Sequence, residues 1–306
     1  MKDVIINDTK KLEIIKENIR KDGLGKLQVL SDFDKTLTAC FTDGKKIVSL
    51  ISILRDEHYL TPDYSAKAQA LYDRYHPLEI SPDLNKEEKN KLMHEWWKTH
   101  YDLLIESGLT KDDLKKVVTS KKISFRQGAE EFLDFLKSHD IPLVILSAAG
   151  VGSETISLYL EKHKKLSDNI FIVSNEFIWG NDDRAIGVKE PIIHSLNKNY
   201  STISQKPFFP KIKERKNIIL LGDGLLDANM AEGFDYDNII KIGFLNEDAK
   251  GELTNYQEKY DIIILNDGPM DYILNSFRKA FDVIIFDDGP MNYVNSLLKE
   301  LASASR

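Results

Sequence analysis

Ser31-Asp32-Phe33-Asp34-Lys35-Thr36-Leu37-Thr38 follows the apolar run Leu27-Gln28-Val29-Leu30. The run reads as a buried strand, with two carboxylates just past its carboxyl end. In an open α/β sheet, ligands bind at that edge. Residues two apart share a side of an extended chain, so Asp32 and Asp34 face one region if the strand continues. Two like charges this close favour a bound cation or a shifted pKa. A solvated acidic loop would carry the same residues, so the decision rests on what else the chain brings to that edge.

Upstream, residues 8–21 place Leu12, Ile14, Ile15 and Ile19 among Lys and Glu, an amphipathic helix with Asp8 or Thr9 as N-cap. From about 42 to 121 the strand pattern disappears. This charged, aromatic stretch has helical period, with breaks expected at Pro62, Pro77 and Pro82. It reads as a small helical domain inserted after the first strand, leaving 1–41 and 122–306 as the core. Its clearest helix is Glu87–Leu104, with Met93, Trp97, Tyr101 and Leu104 on one face and Leu92, Trp96 and Leu103 on another. Adjacent helical positions diverge by about 100°, so Trp96 and Trp97 are not expected to face one partner.

After residue 125 the pattern alternates. Helices are expected at 128–138, 153–165, 208–216 and 247–258. Strands are expected at 141–146, 169–173, around 191–196, and at 217–221, 238–243 and 261–265. Residues 176–190 read as a polar loop. Helices alternating with near-continuous apolar strands indicate an α/β fold with a mostly parallel sheet covered on both faces. The closing βα unit is duplicated. Asp261-Ile262-Ile263-Ile264-Leu265-Asn266-Asp267-Gly268-Pro269-Met270-Asp271-Tyr272 returns as Asp282-Val283-Ile284-Ile285-Phe286-Asp287-Asp288-Gly289-Pro290-Met291-Asn292-Tyr293. Two copies are too few for a solenoid, and the repeat carries no evident chemistry.

The 306 residues suffice for a large core or a core plus a smaller domain. A net charge of −7 argues against an extended nucleic-acid surface. An acidic protein that handles phosphate must concentrate positive charge on a metal or a few lysines. Cys40 is the single cysteine, which fits a reducing compartment. No stretch has signal-peptide or membrane-span character, so a cytoplasmic address is expected; the protein is also expected to be a monomer.

Four segments end in reactive residue types: Asp32 and Asp34, then Ser147, then Lys198, then Asp223 and Asp227. In a parallel sheet these ends share one edge. Carboxylates, a hydroxyl and a lysine together suit phosphoryl transfer, which needs an in-line nucleophile and charge neutralisation. Asp32 can attack phosphorus, and Asp34 can protonate the leaving oxygen and then activate water. Mg²⁺ takes oxygen ligands, which Asp32 and Asp223 offer. Lys213 is a rival lysine, but Lys211-Ile212-Lys213-Glu214-Arg215-Lys216 reads as a charged helix face.

The order Asp-x-Asp-x-Thr, Ser, Lys, Gly-Asp-x₃-Asp resembles the haloacid dehalogenase (HAD) superfamily of phosphatases. Several segments resemble the cytosolic 5′-nucleotidase III family: residues 31–38, Tyr75-His76-Pro77-Leu78-Glu79, Glu95-Trp96-Trp97, Ile193-His194-Ser195-Leu196-Asn197-Lys198, 217–223 and Lys241-Ile242-Gly243-Phe244-Leu245-Asn246. The similarity runs from about residue 10 to 280. It implies a Rossmann-like core with a helical cap and Mg²⁺-dependent hydrolysis of nucleoside 5′-monophosphates through an aspartyl phosphate. By position it implies metal ligation by Asp32, the Asp34 carbonyl and Asp223, with Asp227 as a further carboxylate at the metal. Phosphate contacts then fall on Ser147, Ala148 and Lys198, and a nucleoside contact on Glu79. The base is expected to stack on Trp97, with Tyr101 one turn away and Phe41 near the hinge. Within the family, members acting on 7-methylguanosine monophosphate tend to carry Trp-Trp at this pair, so the resemblance implies that substrate, together with CMP; a cationic purine is attracted to aromatic faces.

Two loops depart from the family pattern: Ser147-Ala148-Ala149-Gly150, one residue longer, and Gly222-Asp223-Gly224-Leu225-Leu226-Asp227. Other readings are a phosphatase for another small phosphomonoester, a phospho-acceptor switch, or a binding protein without turnover. A receiver-type switch would put its acidic pair and its phosphorylated Asp on different strands, unlike Asp32 and Asp34.

Overall fold

The chain enters its sheet at an edge. In the computed structural model, which describes residues 4–280 except 43, 47, 48 and 82, Val4–Ile6 forms a strand (β1) not expected from the sequence. Three residues are too few to display a period. The strand exists because Ile262–Leu265 offers it an antiparallel partner. Helix α1 (Thr9–Asp22) is capped by Asp8, whose carboxylate accepts the Lys11 N–H at 2.9 Å. Strand β2 (Leu27–Ser31) is buried throughout.

A short ribbon, β3 (Phe41–Thr42) with β4 (Lys45–Lys46), opens the helical segment. The helices α2 (Leu50–Asp56), α3 (Tyr64–Ile80), α4 (Lys86–Glu106) and α5 (Lys111–Thr119) follow. Capping boxes at Asn85/Glu88 and Thr110/Asp113 start α4 and α5. Pro77 does not break the helix as expected; it lies inside α3, within its last turn.

The remaining elements are α6 (Ala129–Ser138), β5 (Leu143–Leu146), α7 (Gly152–Lys162), β6 (Ile170–Val173), β7 (Phe177–Trp179), β8 (Ala185–Val188), α8 (Tyr200–Ser204), α9 (Phe209–Ile212), β9 (Asn217–Gly222), β10 (Asn238–Leu245), α10 (Ala249–Lys259), β11 (Ile262–Leu265) and α11 (Asp271–Ala280). The sheet order is β1-β11-β10-β9-β2-β5-β6, parallel except for β1. From β2 the chain builds outward through β5 and β6, then crosses back to β9, β10 and β11. The switch point lies between β2 and β9, where such sheets form their ligand crevice. Alternate residues face two apolar clusters. Val29, Ile145, Leu221 and Ile242 join one; Leu30, Val144, Leu220 and Ile263 join the other. Apolar residues of α2 to α5, including Leu50, Tyr64, Tyr101 and Val117, belong to the first cluster.

Three local expectations fail. Residues 176–190 hold the hairpin β7–β8, not a loop. Residues 191–196 are not a strand. Their backbone is satisfied instead by Asn175, which bonds both Ile193 N–H (2.7 Å) and Ile193 C=O (2.8 Å), and by Asn197. The helix expected at 208–216 shrinks to α9. The second repeat copy, 282–293, lies outside the described residues; the first is β11, a turn and α11.

Candidate active site

Asp32 stands one residue beyond β2, its N–H bonded to Leu221 C=O of β9 at 3.0 Å. That bond carries the strand direction past Ser31 and holds the carboxylate at the switch point. Ser147 follows β5 and Asp223 follows β9, so neighbouring strands deliver all three residues to one edge. Lys198 comes from the loop stapled by Asn175 and Asn197. A cavity of about 320 Å³ is lined by Asp32, Asp34, Lys35, Ser147, Lys198 and Asp223 on the sheet side. Ala148, Ala149 and Gly150 complete its floor, and Ser49, Ile51, Glu79, Trp96, Trp97 and Ser195 line the rest.

The Lys198 ammonium donates to Asp32 Oδ1 at 2.7 Å and Asp227 Oδ1 at 2.6 Å. Burial works against this charge, but Asp227 and Asp32 outweigh it and raise the lysine pKa. Burial raises the Asp32 pKa, and Lys198 opposes the shift. Burial, followed by the Asp32 charge, pushes Asp34 up to about 7, although Leu50 N–H bonds its Oδ1 at 3.2 Å. Burial and the neighbouring Asp227 and Asp32 push Asp223 up to about 8.

Comparison with known proteins agrees with this geometry. The family described as "Pyrimidine 5'-nucleotidase (UMPH-1)" matches residues 35–276. The chain belongs to the UMPH-1 pyrimidine 5′-nucleotidase family. A Xenopus laevis relative, 7-methylguanosine phosphate-specific 5'-nucleotidase A, is 36% identical over 256 residues, covering 83% of this chain and 88% of the relative. The crystal structure of cytosolic 5'-nucleotidase IIIB bound to cytidine superposes with a TM-score of 0.80 at 27% identity, covering 92% of this chain and 95% of that chain. A HAD family hydrolase from Salmonella enterica serovar Typhi shares the fold alone, with a TM-score of 0.50 and 15% identity over 81% of this chain and 70% of that chain. This protein is accordingly a hydrolase of the 5′-nucleotidase class on a HAD fold.

In this UMPH-1 member the expected residues divide. Asp32, Asp34, Glu79, Trp97, Ser147, Ala148, Lys198 and Asp223 share the cavity. Tyr101 and Phe41 do not line it. Tyr101 is fully buried beneath Trp97 and donates its hydroxyl to Ala149 C=O at 3.2 Å, bracing the loop after β5. Phe41 is turned outward, 36% exposed. Trp96 and Trp97 both reach the cavity, against expectation. Their Cα positions diverge, but the long indoles lean together, with centroids 6.0 Å apart and planes at 24°. Gly150 permits this: a Cβ there would come within 3.0 Å of the Trp97 ring. Lys213 lies on the surface beside Glu214, in the turn after α9 and not on the expected helix face.

Asp32, Asp223 and Asp227 can each bring an oxygen within 4.8 Å of the others. The all-oxygen donor set suits a hard divalent cation. Asp227, however, already spends Oδ1 on Lys198 and Oδ2 on the Gly224 N–H at 2.9 Å. Beside any cation, it also holds Lys198 and the loop after β9. Two tyrosines brace the same loop: Tyr256 of α10 donates to Asp223 C=O, and Tyr260, just past that helix, donates to Gly224 C=O. Gly222 is fixed by close approach, since an added Cβ would stand 2.3 Å from Asp227 Cβ. Gly222→Ala is expected to cost about 1–3 kcal/mol of stability by overpacking and to lower turnover by displacing Asp227. Chemical denaturation beside steady-state rates would check this; unchanged values would mean that Asp227 moves freely.

Four functional positions had escaped the sequence reading. Lys35 and Ser49 line the cavity. Ser195 donates to Glu79 Oε1 at 2.6 Å, joining α3 to the Lys198 loop. Arg126, 1% exposed, donates to the Thr36 carbonyl just after the acidic pair. Isolated serines, lysines and arginines have no pattern to detect.

Proposed function

We propose that this protein hydrolyses nucleoside 5′-monophosphates, with Asp32 as nucleophile and Asp34 as acid and base. The observation that carries this reading is the single cavity shared by Asp32, Asp34, Ser147, Lys198 and Asp223 with Glu79 and the two tryptophans. The Asp32 carboxylate forms a bond to phosphorus as the bond to the 5′ oxygen breaks. Asp34, whose raised pKa keeps a proton available near neutral pH, delivers it to the leaving oxygen. The carboxylate left on Asp34 then takes a proton from water as that water attacks the aspartyl phosphate, releasing phosphate and restoring Asp32. Ser147, the Ala148 backbone and Lys198 hold the phosphate oxygens. Asp34 in the same cavity favours turnover over a stored phospho-acceptor.

The acidic cluster fits Mg²⁺, held by Asp32, Asp223 and the Asp34 carbonyl. When bound it neutralises the carboxylates and the substrate's phosphate charge. Residues 42–121 act as the cap that selects the nucleoside. Trp97, with Trp96 beside it, offers an aromatic face to the base, and Glu79 offers a carboxylate. These favour 7-methylguanosine monophosphate, with CMP as a second substrate. The name of the Xenopus relative and the cytidine bound in the solved structure support the two. Among the described residues no helix is long and apolar enough to cross a membrane, and relatives named cytosolic support a cytoplasmic enzyme.

The test is phosphate release from 7-methylguanosine monophosphate, CMP, UMP, AMP and serine phosphate, with Mg²⁺ and after chelation. Release from the first two, lost on chelation, is expected; release from none of the nucleotides would end the nucleotidase reading. Trp97→Ala should lower kcat/KM for 7-methylguanosine monophosphate roughly 5–30-fold, the worth of about 1–2 kcal/mol of cation–π stacking. CMP should suffer less. An unchanged base preference would remove Trp97 from recognition.

A further inference from the structure

Arg126 is buried at the point where the chain returns from the helical segment, and its guanidinium is fully engaged. Nε donates to Thr36 C=O at 2.8 Å, and Nη2 donates to Lys35 C=O and to Asn246 Oδ1. Nη1 donates to Gly268 C=O at 3.0 Å and pairs with Asp267 Oδ1 at 2.8 Å. Its flat face lies 4.1 Å over the Phe244 ring centroid. Asn246 also donates to Lys35 C=O, at 3.1 Å. Asp267 in turn accepts Cys40 N–H and Phe41 N–H, one on each oxygen, both at 2.9 Å.

These bonds converge on residues 35–41, the loop leaving the acidic pair. Lys35 has φ 57, a left-handed conformation that a non-glycine residue keeps only when its surroundings impose it. Its carbonyl is held by Arg126 and Asn246 together. The two connections to the helical segment are tied in the same place: Arg126 N–H bonds Leu37 C=O at 2.9 Å and Ala39 N–H bonds Ser124 C=O at 3.0 Å. Only a planar five-donor group can serve Thr36, Lys35, Asn246, Gly268 and Asp267 at once.

We infer that Arg126 and Asp267 are positioning residues for the phosphoryl transfer: acting through residues 35–41, they fix the aim of Asp34 relative to Asp32. This gives the turn of the first repeat copy a task, and it rests on the acid–base role proposed for Asp34. The neighbouring contacts of Asp32 itself run elsewhere, to Leu221 and Lys198. Loosening this brace therefore reaches the proton transfer before it reaches the nucleophile.

The variants are Asp267→Asn and Arg126→Lys. Both are made beside Asp288→Asn, so that the second repeat copy cannot supply the same carboxylate. First-turnover rates are measured by rapid mixing with a nucleoside monophosphate and with 4-nitrophenyl phosphate, whose leaving group departs without a proton. The Asp288→Asn enzyme must turn over both; if it does not, the acid–base reading of the site fails, and not this inference. With it active, the expected result is a fall of roughly 10–100-fold for the nucleoside monophosphate, the cost of a misplaced general acid. The nitrophenolate burst should change by less than about three-fold, and KM should stay the same. Equal losses for both substrates, or no loss for either, would overturn the inference. If Arg126→Lys fails to fold, Asp267→Asn alone decides, because it keeps the shape while removing the charge and one of the two acceptor oxygens.

Discussion

Asp32→Asn should lower nucleoside monophosphate hydrolysis by roughly four orders of magnitude or more, the scale of losing a covalent nucleophile. The amide keeps the size of the side chain and an oxygen that can accept from Lys198, so the fold should survive. It cannot attack phosphorus. Acid quench of the wild-type enzyme during turnover should trap a phosphorylated protein that the variant lacks. A variant retaining even a hundredth of the activity would move the nucleophile away from Asp32. Substrate would then have to be attacked by water directly, with the acidic pair reduced to binding a cation.

Lys198→Met has the second large effect, and it reaches stability as well as rate. Lys198 Nζ is bonded to both Asp32 and Asp227, with side-chain exposures of 5%, 9% and 10%. Removing one partner from a buried ion pair leaves uncompensated charge, at about 3–5 kcal/mol. Here one ammonium serves two carboxylates, so both lose their partner. Turnover should fall about 10²–10³-fold through loss of a preorganised cation at the phosphate. Urea denaturation with and without Mg²⁺ would separate the two. Added Mg²⁺ should recover part of the stability, because it neutralises some of the same carboxylates. The methionine cannot bind phosphate, so the rate should stay low. A variant as stable as wild type in the absence of Mg²⁺ would contradict the buried triad.

The sheet was readable because β2, β5 and β9 are continuous apolar runs, and their order placed Asp32, Ser147 and Asp223 on one edge. Lys198 lies at the same edge, lining the cavity with them, though its local structure is not the expected strand. Ile192 and Ile193 look like strand residues, yet they pack inward from a loop whose polar groups are met by Asn175 and Asn197. Side-chain substitutes for ladder bonds leave no period to read. The hairpin β7–β8 was hidden for the opposite reason: its strands are short, and its polar turn dominates the composition. The cap aromatics show the limit of helical spacing. Period assigned Trp97 and Tyr101 to one face, but depth decides function, and Tyr101 lies one layer below the cavity. Arg126 and Asp267 come together only in the folded chain, from positions 141 residues apart in the numbering, which no local pattern reports.

The seating of β2 also governs when the enzyme can exist during its own synthesis. Its two neighbours are β5, beginning at Leu143, and β9, beginning at Asn217. At about 5–20 residues per second, a ribosome that has finished Ser31 needs roughly 10–40 seconds more to supply β9. Through that interval the strand that leads into Asp32 has at most one flank covered, and β1 waits longer still for β11. The nascent chain therefore spends most of its translation with the future centre of the sheet open. A holding chaperone acting before residue 222 emerges would find its target at Leu27–Ser31.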